Sequence, residues 1–299
     1  MRAHDGNHDR IHRRSTAGRP AGPEAGATAA VLHALQRTAG NAAVSRAVAG
    51  TSPVMVQRTV DEDLRKAKTP DEIVAALKKS GHSQDDAWEL MRYMTSQQFP
   101  AGAGQGGFDI LDSIKRASDE PIPRIRKTMA AGLMGKRWTI RHYTGEDPGN
   151  PPGFKEIAST YENAAAGRPG KHTNVADWRS LGNIKFTFYL VAVDGKVPPR
   201  KWLNDTHWYA EWDLDGIGEC WVSPDLLETM NKPKDAKGAR EAMKGVKAFR
   251  GTGKELKELL ATKAFGSGND PATALDTVIG GAFELKVPGG LPAAKWQKK

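Results

Sequence analysis

The stretch THWYAEWDLDG, residues 206–216, alternates strictly between apolar and polar side chains. Trp208, Ala210 and Trp212 fall on one side of the chain, and Tyr209 and Glu211 fall on the other. A period of two is the side-chain period of a β-strand and does not fit the 3.6-residue period of a helix. The stretch therefore predicts a strand with one face on a core and one polar face.

The sequence on either side of this strand predicts further strands and helices. KFTFYLVAVDG, residues 185–195, is apolar or amphipathic on both sides, which is typical of a strand that is buried on both faces. The shorter patterns are the strands ECWVS (219–223) and AFELKV (282–287) and the helices DLLETMNK (225–232) and GKELKELLATKAF (253–265). We therefore predict an α+β domain over residues 136–299, with a mixed, β-rich sheet and peripheral helices.

Residues 58–135 carry helical patterns instead. The predicted helices are TPDEIVAALKKSG (69–81), SQDDAWELMRYMTSQQF (83–99) and FDILDSIKRA (108–117). In the first of them, Thr69 suits the N-cap, Pro70 suits the first helical position, and Gly81 ends the helix. We interpret this region as a small helical connector module.

Residues 1–57 differ in composition from the rest of the chain. They contain no Phe, Trp, Tyr or Lys, so they lack most of the large side chains that offset chain entropy on folding. The segment is predicted to be mostly disordered, with one short helical element over residues 27–49 that is broken at Gly40. No apolar region of a signal peptide follows the charged N-terminus, and no stretch is predicted to span a membrane.

The charge and the cysteine content narrow the classes of function. A formal net charge of +9 favours anionic partners such as phosphates or nucleic acid. The basic residues are scattered along the sequence, however, and no nucleic-acid reader motif is present. The single cysteine, Cys220, excludes an internal disulfide framework and any metal site that needs two thiolates. No His-Glu-x-x-His pattern occurs, so we predict no metal site.

The words LHALQRTAGNAAVSRAV and VMVQR, within residues 30–58, carry the first resemblance to a known family. They resemble the Leu-Gln-Arg-x-x-Gly-Asn element near the N-termini of actinobacterial proteins linked to extracellular contractile injection systems. Gln36, Arg37, Gly40 and Asn41 are the matching positions. Such proteins often carry a toxin-like or enzymatic C-terminal domain. The resemblance implies a toxin or effector that is made in the bacterial cytoplasm, contacts tube or assembly proteins through residues 27–58, and is delivered by an injection particle.

The second resemblance begins with Arg141, His142, Tyr143 and Thr144 in the word IRHYTGED. With the later words LGNIKFTFY and GECWVS, this set resembles the ADP-ribosyltransferase toxins of the His-Tyr-Glu type, many of which open their catalytic domain with His-Tyr-Thr. The resemblance implies that NAD is a substrate of residues 136–299. His142 would hold the adenosine-side ribose, and Tyr143 and Thr144 would lie beside it as further NAD-binding candidates.

The same resemblance assigns the remaining roles. Phe188 or Tyr189 would stack on nicotinamide, and Glu219 would bind the nicotinamide ribose 2′-hydroxyl. A carboxylate suits that position because cleavage of the nicotinamide–ribose bond develops positive charge on the sugar. Arg141 suits the pyrophosphate because a guanidinium binds such a group bidentately.

Several alternatives stay open from the sequence. Glu211 competes with Glu219 for the glutamate role, and a second transferase pattern of the Arg-Ser-Glu type would use Arg250, Ser267 and Glu284. Three functions follow from these observations. The first is an ADP-ribosyltransferase or NAD glycohydrolase with an unknown macromolecular acceptor. The second is a non-catalytic cargo or adaptor protein of the injection apparatus, and the third is a toxin that acts on nucleic acid.

Overall fold

Helices and strands both occur throughout the part of the chain that the structure describes, and this confirms the α+β class. The computed structural model describes residues 62–98, 114–145, 156–168, 178, 182–225, 247–265, 271–292 and 295–299. All of them belong to one unit by their contacts, Ser52–Lys299. The predictions for residues 1–57 and for a helix over 225–232 fall on residues outside this description, apart from Asp225.

The elements are numbered in chain order. The helices are α1 (Pro70–Ser80), α2 (Ala87–Gln98), α3 (Arg124–Met129), α4 (Ala131–Met134), α5 (Thr160–Ala165), α6 (Gly253–Ala264) and α7 (Pro271–Ile279). The strands are β1 (Ile114–Arg116), β2 (Trp138–Thr144), β3 (Glu156–Ile157), β4 (Phe186–Val193), β5 (Trp208–Asp213), β6 (Cys220–Pro224), β7 (Ala248–Gly251), β8 (Phe283–Pro288), β9 (Leu291–Pro292) and β10 (Gln297–Lys298).

Eight of these strands form one mixed sheet in the order β1-β7-β6-β8-β4-β2-β5-β10. The pair β1–β7 is parallel, and the other neighbours are antiparallel. Strands β3 and β9 form a separate antiparallel pair. Strand β4 lies inside the sheet and is buried along nearly its whole length, as the sequence predicted, with only Phe188 half-buried.

The two faces of the sheet differ in chemistry. One face, here called the core face, packs against α6 and α7 through side chains such as Ile140, Val191 and Leu285. The alternation of AFELKV is confirmed, because Phe283, Leu285 and Val287 are all buried in this core. The opposite face is here called the polar face. It carries Tyr209, Glu211, Arg141, Glu284, Lys286 and Arg250, which the strand registers place on one side of the sheet.

A helical cluster built mainly on α1 and α2 packs at one end of the polar face. Trp88 of α2 contacts Phe186 at 5.0 Å and Trp221 at 5.8 Å between ring centroids. The predicted caps of α1 are confirmed. Thr69 forms a capping box with Glu72, and the helix ends at Gly81 in the left-handed conformation. The helical module and the sheet are therefore in direct contact.

Three predictions in the helical region differ from the structure in detail. Residues 114–116 form β1, with Ile114 opposite Ala248 of β7, so the predicted helix over 108–117 does not extend into this part. Pairing with a distant strand overrides the local helical pattern here. Because β1 belongs to the large sheet, the predicted boundary at residue 135 does not separate a helical module from a β-rich domain.

The start of α2 also differs from the prediction. The helix begins at Ala87 and not at Ser83, because the Asp86 carboxylate accepts hydrogen bonds from the backbone N–H groups of Trp88 and Glu89. Residues His82–Gln84 form a separate 3₁₀ turn. The inward positions of α2 are as predicted, since Trp88 and Met91 are buried.

Candidate functional site

The polar face brings together side chains from strands that are far apart in sequence. Arg141 of β2 lies opposite Glu211 of β5 on one side and Leu190 of β4 on the other. Tyr189 of β4 lies opposite Leu285 of β8. Because these strands are antiparallel, the next residue of β4, Leu190, lies opposite the preceding residue of β8, Glu284. Arg141 and Glu284 therefore occupy one row across the sheet, two strands or about 10 Å apart.

Glu211 and Arg141 form a nearly enclosed ion pair in this row. Arg141 Nε donates to Glu211 Oε2 at 2.6 Å, and their side chains are 12% and 6% exposed. Thr139 donates to the same carboxylate oxygen, and Arg137 binds the other one. Burial raises the pKa of Glu211, but the hydrogen bond and charge of Arg141 outweigh burial and leave that pKa below its usual value. Both oxygens of Glu211 are thus occupied by protein groups.

Arg141 is fixed on its other sides as well. Its Nη1 donates to the carbonyl oxygen of Gly195 at 2.9 Å, and its guanidinium carbon lies 4.4 Å from the centre of the Tyr209 ring. The Tyr143 ring lies 5.7 Å from that of Tyr209, and burial raises the pKa of Tyr143. Arg137 reaches the same carboxylate but leaves most of its side chain in solvent. Two arginines against one glutamate leave this end of the row positively charged.

Glu284 and Lys286 form a second ion pair near the middle of the face. Lys286 is fully buried, and its Nζ lies 2.8 Å from Glu284 Oε1, in an ion pair without hydrogen-bond alignment. The ammonium also lies 4.4 Å from the centre of the Trp221 ring and 5.4 Å from that of Phe188. The Glu284 side chain is 18% exposed. A carboxylate is therefore held by a buried cation between two aromatic rings.

Glu219 lies immediately before β6, toward the edge of the same face. Arg250 Nε donates to its Oε1 at 2.7 Å, and the Arg250 guanidinium carbon lies 4.1 Å from the centre of the Trp88 ring. The Glu219 side chain is 41% exposed. This carboxylate is the most solvent-accessible of the three glutamates on the polar face.

His142 and Tyr189 lie on the core face, with their rings 5.7 Å apart. His142 Nδ1 is 2.9 Å from the Phe188 carbonyl oxygen, which only accepts, so Nδ1 carries the proton and donates. Burial lowers the pKa of His142 and raises the pKa of Tyr189. Thr144 shares this face with His142 by strand alternation.

The structure therefore divides the predicted site residues between two faces. His142, Tyr189 and Thr144 share the core face, whereas Glu219, Arg141, Tyr143 and Phe188 lie on the polar face. Adjacent residues of a strand point to opposite faces, so Arg141 and His142 cannot line one cleft by their side chains. The predicted trio of His142, Tyr189 and Glu219 is not brought together on one surface.

Sequence reasoning left Lys286 out of the site and kept Glu284 only within the Arg-Ser-Glu alternative. The signal for both was present in AFELKV, residues 282–287. The alternation that predicts a buried Phe283, Leu285 and Val287 also requires Glu284 and Lys286 to share the opposite face. What the sequence does not show is that this face also carries Arg141.

Other kinds of site find little support among the described residues. Within them, no group of three or more His, Cys, Asp or Glu side chains is arranged to hold a metal ion. Cys220 is buried, and burial together with nearby carboxylates raises the pKa of its thiol to about 12. Such a thiol is a poor nucleophile near neutral pH. No helix in the described part of the chain is long and apolar enough to cross a membrane.

Comparison with known proteins does not assign this face to a family. No protein-family model matches the chain, and no curated protein matches it either.

Proposed function

We propose that the polar face binds NAD and cleaves its nicotinamide–ribose bond, with Glu284 as the catalytic carboxylate. The observation that carries this proposal is the position of Glu284. It is partly exposed, it is paired with the buried Lys286, and it lies in one row with Arg141.

The chemistry of the reaction gives Glu284 its role. As the bond to nicotinamide breaks, the ribose gains oxocarbenium character, and a hydrogen bond from its 2′-hydroxyl to a carboxylate becomes stronger. This help requires a carboxylate that is fixed before the reaction, so that no energy is lost in moving it. The ion pair with Lys286 supplies that fixation, because the ammonium is immobilised against Trp221 and Phe188.

The neighbouring side chains fit the other parts of NAD. Phe188 is the half-buried aromatic residue of β4, and a ring of this kind can pack against the flat nicotinamide. Arg137 and Arg141 outnumber Glu211, and this excess positive charge suits a pyrophosphate. Glu211 is assigned a structural role, since its two oxygens already bind three protein groups.

A comparison of matched glutamate variants tests this proposal. Nicotinamide release from NAD is measured with the full chain and with Glu284→Gln and Glu219→Gln. Gln keeps the size of the side chain and a polar oxygen near Lys286 but removes the negative charge. We expect Glu284→Gln to lower kcat by about 100-fold or more, and Glu219→Gln to retain most of the rate.

The outcomes separate the alternatives. If only Glu219→Gln loses nicotinamide release, the assignment of Glu284 as the catalytic carboxylate is contradicted and the site lies instead beside β6. If the folded chain neither binds NAD by calorimetry nor releases nicotinamide, even with cell extract added as acceptor, the non-catalytic adaptor becomes the better hypothesis. Unfolding by urea, measured in parallel, shows whether a variant has lost activity through loss of the fold.

We also propose that a contractile injection particle delivers the chain as an effector. The support is the Leu-Gln-Arg-x-x-Gly-Asn word over residues 35–41, which lies outside the described residues. Deletion of residues 27–58 should remove the protein from purified particles while nicotinamide release by the remaining chain continues. Loading that is unchanged by the deletion would contradict this proposal.

A further inference from the structure

Helix α3, Arg124–Met129, lies on the surface of the molecule and buries none of its residues. All six of its side chains are exposed. Ile125 is 75% exposed and Met129 is 53% exposed, so two of the four large apolar side chains that are exposed in the described part of the chain belong to this helix. Single apolar residues are common on protein surfaces, but two together on one short helix indicate a contact surface.

The other side of α3 is attached to the protein. Lys127 Nζ forms an ion pair with Glu258 Oε1 of α6 at 2.5 Å, and Ala130, which follows the helix, is fully buried. Lys127 and Ala130 are three residues apart and share one face of the helix. Ile125 and Met129 are four residues apart and share another face. The apolar pair therefore lies on the side of α3 that points away from α6, toward solvent.

Two arginines flank the apolar pair. Successive residues of a helix are about 100° apart, so Arg124 and Arg126 lie on either side of Ile125. Among the residues that the structure describes, neither arginine forms an ion pair with a carboxylate, whereas Lys127 of the same helix does. The sequence contains no aspartate or glutamate over residues 121–137. The outer face of α3 is therefore apolar at its centre and positively charged at its sides.

Nearby carboxylates compensate little of this charge. Glu120 is paired with two lysines, Lys115 at 3.3 Å and Lys263 at 3.8 Å, and Glu258 is already paired with α3 itself. In the described part of the chain, Asp119 is the nearest acidic residue in sequence that has no ion pair, and it lies on the turn before the helix. One carboxylate outside the helix faces two unpaired arginines on it.

The size and the chemistry of this face favour a lipid surface over a protein partner. A stable protein interface buries about 800 Å² on each side and has a well-packed apolar centre. A six-residue helix with two exposed apolar side chains offers much less than that. A bilayer requires less area from the protein, because apolar side chains that enter the headgroup region add to the attraction between basic residues and anionic lipids.

We infer that α3 binds the surface of a membrane that contains anionic lipids. Ile125 and Met129 enter the headgroup region, and Arg124 and Arg126 bind lipid phosphates. The helix lies on the membrane and does not cross it. The inference uses none of the residues assigned to NAD cleavage, so either proposal can fail without the other.

Sedimentation of the full chain with lipid vesicles tests the inference. One set of vesicles is made of phosphatidylcholine alone, and the other also contains phosphatidylserine. The α3 variants are Ile125→Ser/Met129→Ser and Arg124→Glu/Arg126→Glu. The matched charge control is Lys68→Glu/Lys78→Glu, which makes the same change in net charge at two exposed lysines of the helical cluster on the polar face. Urea unfolding of the α3 variants should match the wild type, because all four side chains are exposed.

We expect the wild type to bind only the vesicles that contain phosphatidylserine, and both α3 variants to bind them at least about 10-fold more weakly. The charge control should bind like the wild type. Nicotinamide release from free NAD should be the same in both α3 variants as in the wild type.

Four results would overturn the inference. The wild type binds neither kind of vesicle, it binds both kinds equally, or the charge control loses as much affinity as the arginine variant. The fourth is a dimer in analytical ultracentrifugation that Ile125→Ser/Met129→Ser dissociates, since α3 would then contact a second copy of the chain.

Discussion

Replacing Arg141 with Met is expected to lower the free energy of unfolding by about 3 kcal/mol. The Glu211 carboxylate is 6% exposed, and Arg141 is its enclosed partner at 2.6 Å. Without Arg141, the nearly buried carboxylate has a charged partner only on its solvent side. The attraction that remains does not offset the hydration that the carboxylate loses on folding. Urea unfolding followed by tryptophan fluorescence measures the change.

Arg137→Met is the matched control, because Arg137 binds the other oxygen of the same carboxylate. The Arg137 side chain is 69% exposed, so solvent screens its charge. The expected loss in this variant is below about 1 kcal/mol. Equal losses in the two variants would show that burial does not govern the strength of this network.

The stabilisation by Arg141 should also depend on pH in a defined direction. The pKa of Glu211 is lowered in the folded protein, so at acidic pH the unfolded state binds more protons and stability rises with pH. The contribution of the pair is therefore complete above the ordinary glutamate pKa of about 4.3 and is lost as the pH falls through the lower folded value. The difference in free energy of unfolding between wild type and Arg141→Met should therefore become smaller as the pH falls over that interval.

Gly253→Ala is expected to lower the free energy of unfolding by about 3 kcal/mol, at the upper end of the usual cost of overpacking. A Cβ on Gly253 would lie 1.8 Å from the carbonyl oxygen of Leu214 and 3.2 Å from Cβ of Ile217. The obstacle is backbone, so rotation of a side chain cannot relieve it. The Gly253 N–H also donates to the Ile217 carbonyl oxygen at 2.9 Å, which holds the two segments together.

Gly132→Ala provides the contrast within another helix. A Cβ at Gly132 in α4 meets nothing within 4 Å. Alanine there restricts the unfolded chain without a steric cost in the folded protein. We therefore expect the free energy of unfolding, measured by heat or urea, to stay the same or rise by up to about 1 kcal/mol. A similar loss in both variants would contradict the steric explanation for Gly253.

The sequence predicted well those features that depend on local periodicity. The alternation in THWYAEWDLDG identified the strand β5 but not a fully buried side, since only Ala210 is buried and Trp208 and Trp212 are half-buried. The alternation in AFELKV identified the buried side of β8, and the cap residues identified the ends of α1. Each of these features is decided by side chains only a few positions apart.

The neighbours of each strand could not be predicted in this way. Arg141 and Glu284 come into one row only because β4 lies between β2 and β8. The order of strands is a property of the whole sheet, and no local pattern carries it. The same reason explains β1, a three-residue strand whose assignment depends on its parallel partner β7.

The candidate site also shows how a short motif can mislead. The word Arg141-His142-Tyr143-Thr144 suggested four side chains near one ligand. Strand geometry sends Arg141 and Tyr143 to the polar face and His142 and Thr144 to the core face. Applying alternation to the motif itself would have separated these residues before the structure was known.

The central claim is that NAD lies on the polar face with its nicotinamide ribose at Glu284. A crystal structure of the Glu284→Gln variant with NAD tests this most directly, since the variant should bind the substrate without cleaving it. We predict the ribose 2′-hydroxyl at about 3 Å from the side chain of residue 284 and the pyrophosphate toward Arg137 and Arg141. NAD bound beside His142 on the core face, NAD bound at Glu219 and Arg250, or no NAD at saturating concentration would contradict the claim.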